Sequence, residues 1–163
     1  MAKNKEEKTN VMRTLEQKKI AYTAKTYPHG EGDPIDGVSV AKAVGLDVEM
    51  VFKTLVCKGA SGRYYVFDIP VAENLDLKKA AKAVGEKSVA MLPQKELLGL
   101  TGYVHGGCSP VGMKKQFPTV FHETAEGLAQ VAVSAGKIGF QVVCDPKDLM
   151  GLLRAGTADI IVE

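Results

Sequence analysis

The sequence predicts an α+β fold in which helices pack on a mixed, curved sheet. Helical and strand-like hydrophobic periodicities alternate irregularly along the chain, which is typical of this class. The chain has 163 residues, of which 45% are hydrophobic and 25% charged, so a single domain spanning positions 1–163 can bury its own core. No low-complexity segment indicates a linker or an internal domain boundary.

The N-terminal part predicts a helix, a strand and a loop. The helix ends before Ile20, and three apolar residues mark its inward face: Val11, Met12 and Leu15. The strand covers Tyr22 to Tyr27 and stops at Pro28. Gly, Pro, Asp and Glu crowd the segment from His29 to Gly37, which therefore predicts an irregular loop.

A short helix and a β-hairpin are predicted next. Ser39 is placed to cap the helix and Gly45 to end it, with three apolar residues facing inward: Val40, Ala43 and Val44. The run from Val51 to Val56 predicts a buried strand, and Tyr64 to Ile69 predicts its neighbour. The intervening Lys58 to Gly62 has the composition of a hairpin loop.

The rest of the chain predicts two further helices and several short strands. Leu77 to Val84 carries apolar residues at helical spacing, between a capping Asp76 and a terminating Gly85. The last helix begins at Asp145-Pro146 and turns three leucines inward: Leu149, Leu152 and Leu153. The predicted strands are Val89–Leu92, Gly102–Val104, Thr119–His122, Val131–Ser134 and Phe140–Cys144.

Charge and cysteine content argue against several classes of function. The formal net charge of +2 is too small to indicate nucleic-acid binding on its own. The three cysteines are widely spaced and form no CxxC motif, and no His lies at metal-ligand spacing from them, so we expect no zinc site. The N-terminus is charged and no stretch approaches 18 apolar residues. We therefore expect no signal peptide, no membrane span and a cytoplasmic location.

The most unusual segment runs from Thr101 to Lys115. Three glycines, a serine and a proline fall between Gly106 and Gly112. Glycines allow positive φ and close backbone approach, so successive N–H groups can point at one oxygen or phosphate. A structural turn is the alternative interpretation. A nucleotide-binding P-loop is excluded, because Met113 stands where its lysine would be and Pro110 removes a backbone donor.

Lys53 is the second candidate for a functional residue. It lies in an otherwise apolar strand, on the same face as Val51 and Leu55, and a buried lysine is costly without a partner or ligand. The alternative is an outward lysine whose stem covers apolar surface. The segment from Ser134 to Gly136, at a strand end, adds a weaker cluster of hydroxyl and backbone groups.

A catalytic cysteine is a less favoured interpretation. Cys108 lies in the glycine-rich segment close to His105, and His122 and His29 are other potential bases. Such a pair is defined by its geometry, which the sequence does not give. The other two cysteines lie in apolar strands, which favours core positions.

Taken together, these segments resemble the YbaK-type Cys-tRNA(Pro) deacylases, relatives of the editing domain inserted in bacterial prolyl-tRNA synthetases. No one motif is specific, but their order and spacing are, and they run through most of the chain. They are Thr26-Tyr27, Phe52-Lys53-Thr54-Leu55, Leu77 to Lys82 before Val84-Gly85, Thr101-Gly-Tyr103, Gly106 to Gly112 with Lys114-Lys115, Val133 to Gly136, and Pro146 to Leu149.

The resemblance implies a barrel-like α/β fold and hydrolysis of the ester that joins an amino acid to the tRNA terminal ribose. It implies that Lys53 is catalytic and contacts the 3′ end of the substrate. Backbone donors of the glycine-rich loop would lie near the scissile carbonyl. The remaining residues implied to bind substrate are Tyr27, Gly106, Gly107, Ser109, Pro110, Ser134 and Gly136.

No metal or cofactor is implied by the resemblance, because the substrate's own thiol is thought to attack its ester carbonyl. The implied partners are mischarged tRNA and prolyl-tRNA synthetase. Two positions depart from the family pattern: Glu73 replaces a neutral amide near the pocket, and Asp36 stands where an aromatic residue can occur. Two alternatives therefore stay open, namely an Ala-tRNA(Pro) deacylase and a non-catalytic module that binds tRNA or the synthetase.

Overall fold

The computed structural model describes residues 8–27 and 37–163. Its first helix, α1 (Asn10–Gln17), confirms the predicted helix and its inward face. Thr9 caps α1, because its hydroxyl accepts a hydrogen bond from the Met12 N–H at 3.2 Å. Strand β1 (Tyr22–Thr26) follows, also as predicted. The predicted loop after it lies, up to residue 36, outside the described residues.

Helix α2 (Gly37–Ala43) differs from the prediction in two respects. Ser39 lies inside the helix and is not its cap, because the helix begins two residues earlier. The prediction that Ala43 faces inward is also wrong, because Ala41 occupies that face and Ala43 is exposed. Gly45 follows the helix with a φ of 73°, the left-handed conformation that commonly terminates helices.

The central hairpin is formed by strands β2 (Phe52–Gly59) and β3 (Tyr64–Pro70). The two strands are antiparallel, and the register pairs Lys53 with Ile69 and Thr54 with Asp68. Strand β2 extends into the predicted loop, because the Gly59 N–H donates to the Arg63 carbonyl at 2.8 Å. The turn is therefore shorter than the composition predicted.

Helix α3 (Leu77–Val84) has its predicted bounds and its predicted caps. The Asp76 carboxylate accepts hydrogen bonds from the N–H groups of Lys78 and Lys79, both at 3.0 Å. Gly85 ends the helix in the left-handed conformation, with a φ of 75°. Strand β4 (Val89–Met91) then pairs with the end of β2.

The segment between residues 94 and 104 corrects the prediction. Helix α4 (Gln94–Thr101) was not predicted, and no strand forms over Gly102–Val104. Gly102 ends α4 with a φ of 88°, so the chain turns at the point where a strand was expected. Strands β5 (Thr119–His122), β6 (Val131–Ser134) and β7 (Phe140–Cys144) have their predicted bounds.

Helix α5 (Pro146–Leu153) starts where predicted, and the Asp145 side chain accepts from the Lys147 N–H at 2.8 Å. Leu149 and Leu153 are buried on it, whereas Leu152 is partly exposed. Strand β8 (Gly156–Ala158) follows; it was not predicted, because three residues carry little periodic signal.

The described strands form two sheets. One is antiparallel with the order β1-β7-β6, and the other is mixed with the order β4-β2-β3-β5-β8. An isolated parallel bridge between Val51 and Ala132 joins them. The predicted α+β class is thus confirmed, but the strands form two sheets and not the single sheet that was predicted. The barrel-like closure is not confirmed, because no closed barrel is found among these strands.

The main core lies between the two sheets and helices α1 and α5. Phe52 of β2 and Phe121 of β5 meet in it, with ring centroids 6.0 Å apart. Both rings are at least 98% buried, which anchors the start of β2 at the junction of the sheets. No helix in the described part of the chain is both long and apolar enough to cross a membrane.

Candidate active site

A cavity of about 470 Å³ lies at the junction of the two sheets. The cavity is lined by residues of β2 and β6 that follow the bridge between Val51 and Ala132. Helix α2, the end of β1 and part of the glycine-rich loop complete its wall. The polar or candidate residues in its wall are Tyr27, Lys53, Thr54, His105, Gly106, Cys108, Ser134 and Gln141. These residues come from five separate parts of the chain, so the fold is needed to assemble the cavity.

Lys53 lies in the cavity wall and is partly buried. Removal from water lowers the pKa of its ammonium group, and the negative charge of Glu73 opposes that shift. A partly desolvated cation gains most from an anionic ligand, such as a phosphate or the oxyanion that develops at an ester carbonyl. Glu73 therefore acts directly on the electrostatics of Lys53.

The glycine-rich loop contributes less to the cavity surface than the sequence predicted. Gly106 lines the cavity, with a φ of 89°. The Gly107 N–H instead donates to the Val104 carbonyl at 3.0 Å. The Ser109 hydroxyl is fully buried and accepts from the Val111 N–H at 3.2 Å. Three predicted substrate-binding residues are thus not among the lining residues: Gly107, Ser109 and Pro110.

Tyr103 holds the glycine-rich loop against the turn between β6 and β7. Its hydroxyl donates to the Val111 carbonyl at 2.5 Å. Its ring needs glycine on two sides: a Cβ at Gly112 would lie 2.9 Å from the hydroxyl oxygen, and one at Gly136 would lie 2.9 Å from Cε1. Gly136, which the sequence predicted to bind substrate, is therefore placed behind the wall, where it accommodates Tyr103.

Ser134 and Gln141 offer hydrogen-bonding groups of opposite kinds. The Ser134 oxygen accepts from the Gly136 N–H at 3.1 Å, which leaves the hydroxyl hydrogen to donate to a ligand. The Gln141 Oε1 is buried without a hydrogen-bond partner within residues 8–27 and 37–163, so it can accept from a ligand. Tyr27, at the end of β1, is buried in the same wall.

Beneath the wall, Thr54 is bonded to a buried acid. The Thr54 hydroxyl donates to Asp68 Oδ1 at 2.5 Å, and Asp68 is fully buried on β3. Burial raises the pKa of the Asp68 carboxyl to about 8, although the bond from Thr54 lowers it. This acid lies inside the strand that the sequence predicted from Tyr64 to Ile69.

The geometry does not favour Cys108 as a nucleophile. Burial, and then the negative charge of Asp68, raises the pKa of its thiol to about 12, whereas a nucleophilic thiol needs a lowered pKa. Of the potential bases, His105 lines the cavity. His122, at the end of β5, is buried outside the cavity, and its Nδ1 accepts a hydrogen bond from the Ile160 N–H at 3.3 Å. His29 lies outside the described residues.

No group of three or more His, Cys, Asp or Glu side chains that could hold a metal ion occurs in the part of the chain that the structure describes. The wall offers an ammonium group, hydroxyls, an amide, the His105 imidazole, the Cys108 thiol and backbone groups. An ammonium group and hydroxyls are groups that can bind and polarise an ester carbonyl.

Sequence reasoning placed four predicted site residues in the wall and missed three polar residues that lie in it or directly behind it. Lys53, Tyr27, Gly106 and Ser134 lie together in the cavity. The missed positions are Thr54, Asp68 and Gln141. A charged residue inside the apolar run of β3 was the signal for Asp68, by the same argument that identified Lys53. No local signal marked Gln141.

Comparison with known proteins shows the family to which this chain belongs. Residues 36–152 match the family described as the aminoacyl-tRNA editing domain. The chain belongs to this family, which contains the YbaK-type editing proteins that the sequence motifs resemble.

Individual relatives agree with this assignment. The chain is 45% identical over 161 residues, 98% of each protein, to EbsC of Enterococcus faecalis (strain ATCC 700802 / V583), named as a proposed Cys-tRNA(Pro)/Cys-tRNA(Cys) deacylase. A solved structure described as a proposed trans-editing enzyme for prolyl-tRNA synthetase is 27% identical, covers 94% of each chain and has a TM-score of 0.79. The structure of the hypothetical protein APE2540 is 20% identical, covers 93% of this chain and 99% of its own, and has a TM-score of 0.84; it supports the fold alone.

Proposed function

We propose that this chain is a trans-acting deacylase that hydrolyses mischarged Cys-tRNA(Pro), with Lys53 as its catalytic residue. The observation that carries the proposal is the partly desolvated Lys53 in a cavity that can take an aminoacyl ester. The name of the 45% identical relative supports the substrate class.

The proposed reaction uses the substrate's own thiol. The thiolate sulfur forms a bond to the ester carbonyl carbon, and the bond from that carbon to the ribose oxygen breaks. The thiol proton passes to the leaving oxygen, which becomes the free 3′ hydroxyl of the tRNA. Water then opens the resulting thiolactone to free cysteine. The protein holds thiol and ester in register, an effect that can supply several kcal/mol, on the order of 7–11 kcal/mol in the best cases.

The cavity groups have complementary roles in this proposal. Lys53 places a positive charge beside the terminal ribose and the developing oxyanion. Ser134 donates its hydroxyl hydrogen to a substrate oxygen. Cys108 stays a neutral wall residue, because the pKa of its thiol is raised to about 12.

The test is a comparison of Cys-tRNA(Pro) and Ala-tRNA(Pro) as substrates under single-turnover conditions. If the substrate thiol attacks, the cysteinyl ester should be hydrolysed at least about tenfold faster, since only it carries the internal nucleophile. Faster loss of the alanyl ester would replace the proposal with the Ala-tRNA(Pro) alternative. Hydrolysis of neither ester would favour the non-catalytic binding module.

The same mechanism makes a prediction about tRNA identity. Because the nucleophile belongs to cysteine and not to the tRNA, Cys-tRNA(Cys) should also be hydrolysed by the isolated protein. The net charge of +2 supports only weak autonomous tRNA binding. Prolyl-tRNA synthetase is therefore the proposed partner that brings Cys-tRNA(Pro) to the cavity, and adding it should increase the rate for that tRNA alone.

A further inference from the structure

Asp68 is a buried ionisable residue that the proposed reaction leaves unused. It lies in the middle of β3 and is fully buried, directly opposite Thr54 in the register of the central hairpin. Asp68 does not line the cavity, but Thr54 does. The hydrogen bond between them therefore connects the core to the cavity wall.

Asp68 is fully buried, and no cation of the described residues shifts the pKa of its carboxyl. Thr54 of β2 donates to its Oδ1 at 2.5 Å, while its Oδ2 has no hydrogen-bond partner in the described segments. Lys53, the next residue on β2, alternates to the other face of the sheet. From β5 the register partner is Phe121, and from the glycine-rich loop the Cys108 thiol lies close enough to feel its charge.

From this geometry we infer that Asp68 is a positioning residue that makes the Thr54 oxygen a hydrogen-bond acceptor on the cavity wall. A hydroxyl has one hydrogen, and Thr54 gives it to Asp68 Oδ1. Its lone pairs are then left for a ligand that donates. Asp68 Oδ2 has no hydrogen-bond partner in the described residues, so the bond from Thr54 is the one that fixes the carboxyl.

The chemistry of the bound ligand explains why an acceptor is needed at this point. Lys53 and Ser134 present donors to the cavity, whereas the α-amino group of an aminoacyl ester is itself a donor. Thr54 is thus assigned to the α-amino group, with the Gln141 oxygen as a second acceptor. This assignment of the ligand rests on the proposed function.

Two stable ligands isolate the interaction. One is adenosine with cysteine attached by a 3′-amide, which cannot be hydrolysed as an ester, and the other is its 3-mercaptopropionyl counterpart, which lacks only the α-amino group. Thr54→Val should weaken binding of the amino ligand about tenfold, or about 1.4 kcal/mol, and leave binding of the other unchanged. Asp68→Leu should do the same, because it releases the Thr54 hydrogen toward the α-amino group.

Two further variants distinguish a positioning role of Asp68 from a merely structural one: a conservative substitution that should retain affinity, and a double variant whose losses should not add. Asp68→Asn keeps an oxygen that accepts from Thr54, so the affinity for the amino ligand should stay within about twofold of wild type. The double variant Thr54→Val/Asp68→Leu should lose no more than either single variant, since both remove one interaction. Thr119→Val, which also removes a buried threonine hydroxyl but outside the cavity, should change neither affinity.

Each result bears on the inference. Equal losses for both ligands, additive losses in the double variant, or failure of Asp68→Asn to retain affinity would overturn it. If wild type binds the amino ligand selectively but hydrolyses no Cys-tRNA, the inference is supported and the proposed function is contradicted. Hydrolysis by wild type, with Thr54→Val showing no selective loss, would keep the function and overturn the inference.

Discussion

At the scale of single residues, burial pushes Cys108 and Lys53 toward their neutral forms with different chemical consequences. The thiol of Cys108 loses nucleophilicity, because its pKa rises to about 12. Lys53 is only partly buried and has the Glu73 charge nearby, so it can still act as a cation. The same wall therefore holds one inert and one functional candidate.

The inert role of Cys108 leads to a residue-scale prediction. Cys108→Ala should keep the deacylation rate within about threefold, while the lost core contacts should cost about 1–2 kcal/mol of unfolding free energy. Single-turnover hydrolysis and urea unfolding measure the two effects separately. A loss of more than about a hundredfold in a folded variant would restore the cysteine nucleophile as the mechanism.

At the scale of elements, the caps of α3 explain why its bounds followed from the sequence. Asp76 accepts two backbone N–H groups and Gly85 takes the left-handed conformation, so both ends are determined locally. Helix α4 has no comparable start, because Pro93 occupies its N-cap position without a side-chain hydrogen bond. Its end at Gly102 was therefore mistaken for the entry to a strand.

The cap of α3 gives an element-scale prediction with a matched control. Asp76→Ala should lower the free energy of unfolding by about 1 kcal/mol, because two N–H groups lose their acceptor. Asp47→Ala is the control, since Asp47 precedes a short 3-10 helix without a side-chain capping bond. Urea unfolding should show little change for it, and equal losses in the two variants would contradict the capping argument.

At the scale of the whole molecule, the cavity depends on contacts that local patterns do not encode. Most strands and the strand lysine were predictable from periodicity, although β8 and the inward face of α2 were not. The bridge between Val51 and Ala132 joins positions far apart in sequence. The burial of Ser109 and the packing of Gly136 against Tyr103 also arise from tertiary contacts. For this reason the sequence could identify the glycine-rich loop as unusual, but it could not show which residues of the loop line the cavity.

Asp68 makes the stability of the whole molecule depend on pH. Its carboxyl has a pKa of about 8 in the fold, against an ordinary value of 3.8. Between these values the folded state binds the extra proton, so this residue makes the free energy of unfolding fall as pH rises toward about 8, and its effect levels off above that.

Asp68→Asn removes this titration and gives a prediction about the pH profile. The stability of the variant relative to wild type should increase by about 4 kcal/mol between pH 5 and pH 8.5, because wild type alone takes up a proton on folding at the lower pH and loses that stabilisation as the pH rises toward 8. Urea unfolding at both pH values measures the difference. A difference that does not change with pH would show that the Asp68 pKa is not raised in the fold.

The measurement that tests the central claim most directly is the rate of Cys-tRNA(Pro) deacylation by wild type, Lys53→Ala and Lys58→Ala. Lys58 lies on the same strand but is exposed and outside the cavity, with its ammonium 5.7 Å from the centre of the Tyr64 ring. The account predicts a loss in kcat/KM of about a hundredfold for Lys53→Ala, or about 2.7 kcal/mol, and less than about twofold for Lys58→Ala. Full activity of a folded Lys53→Ala would contradict the assignment of this cavity as the deacylation site.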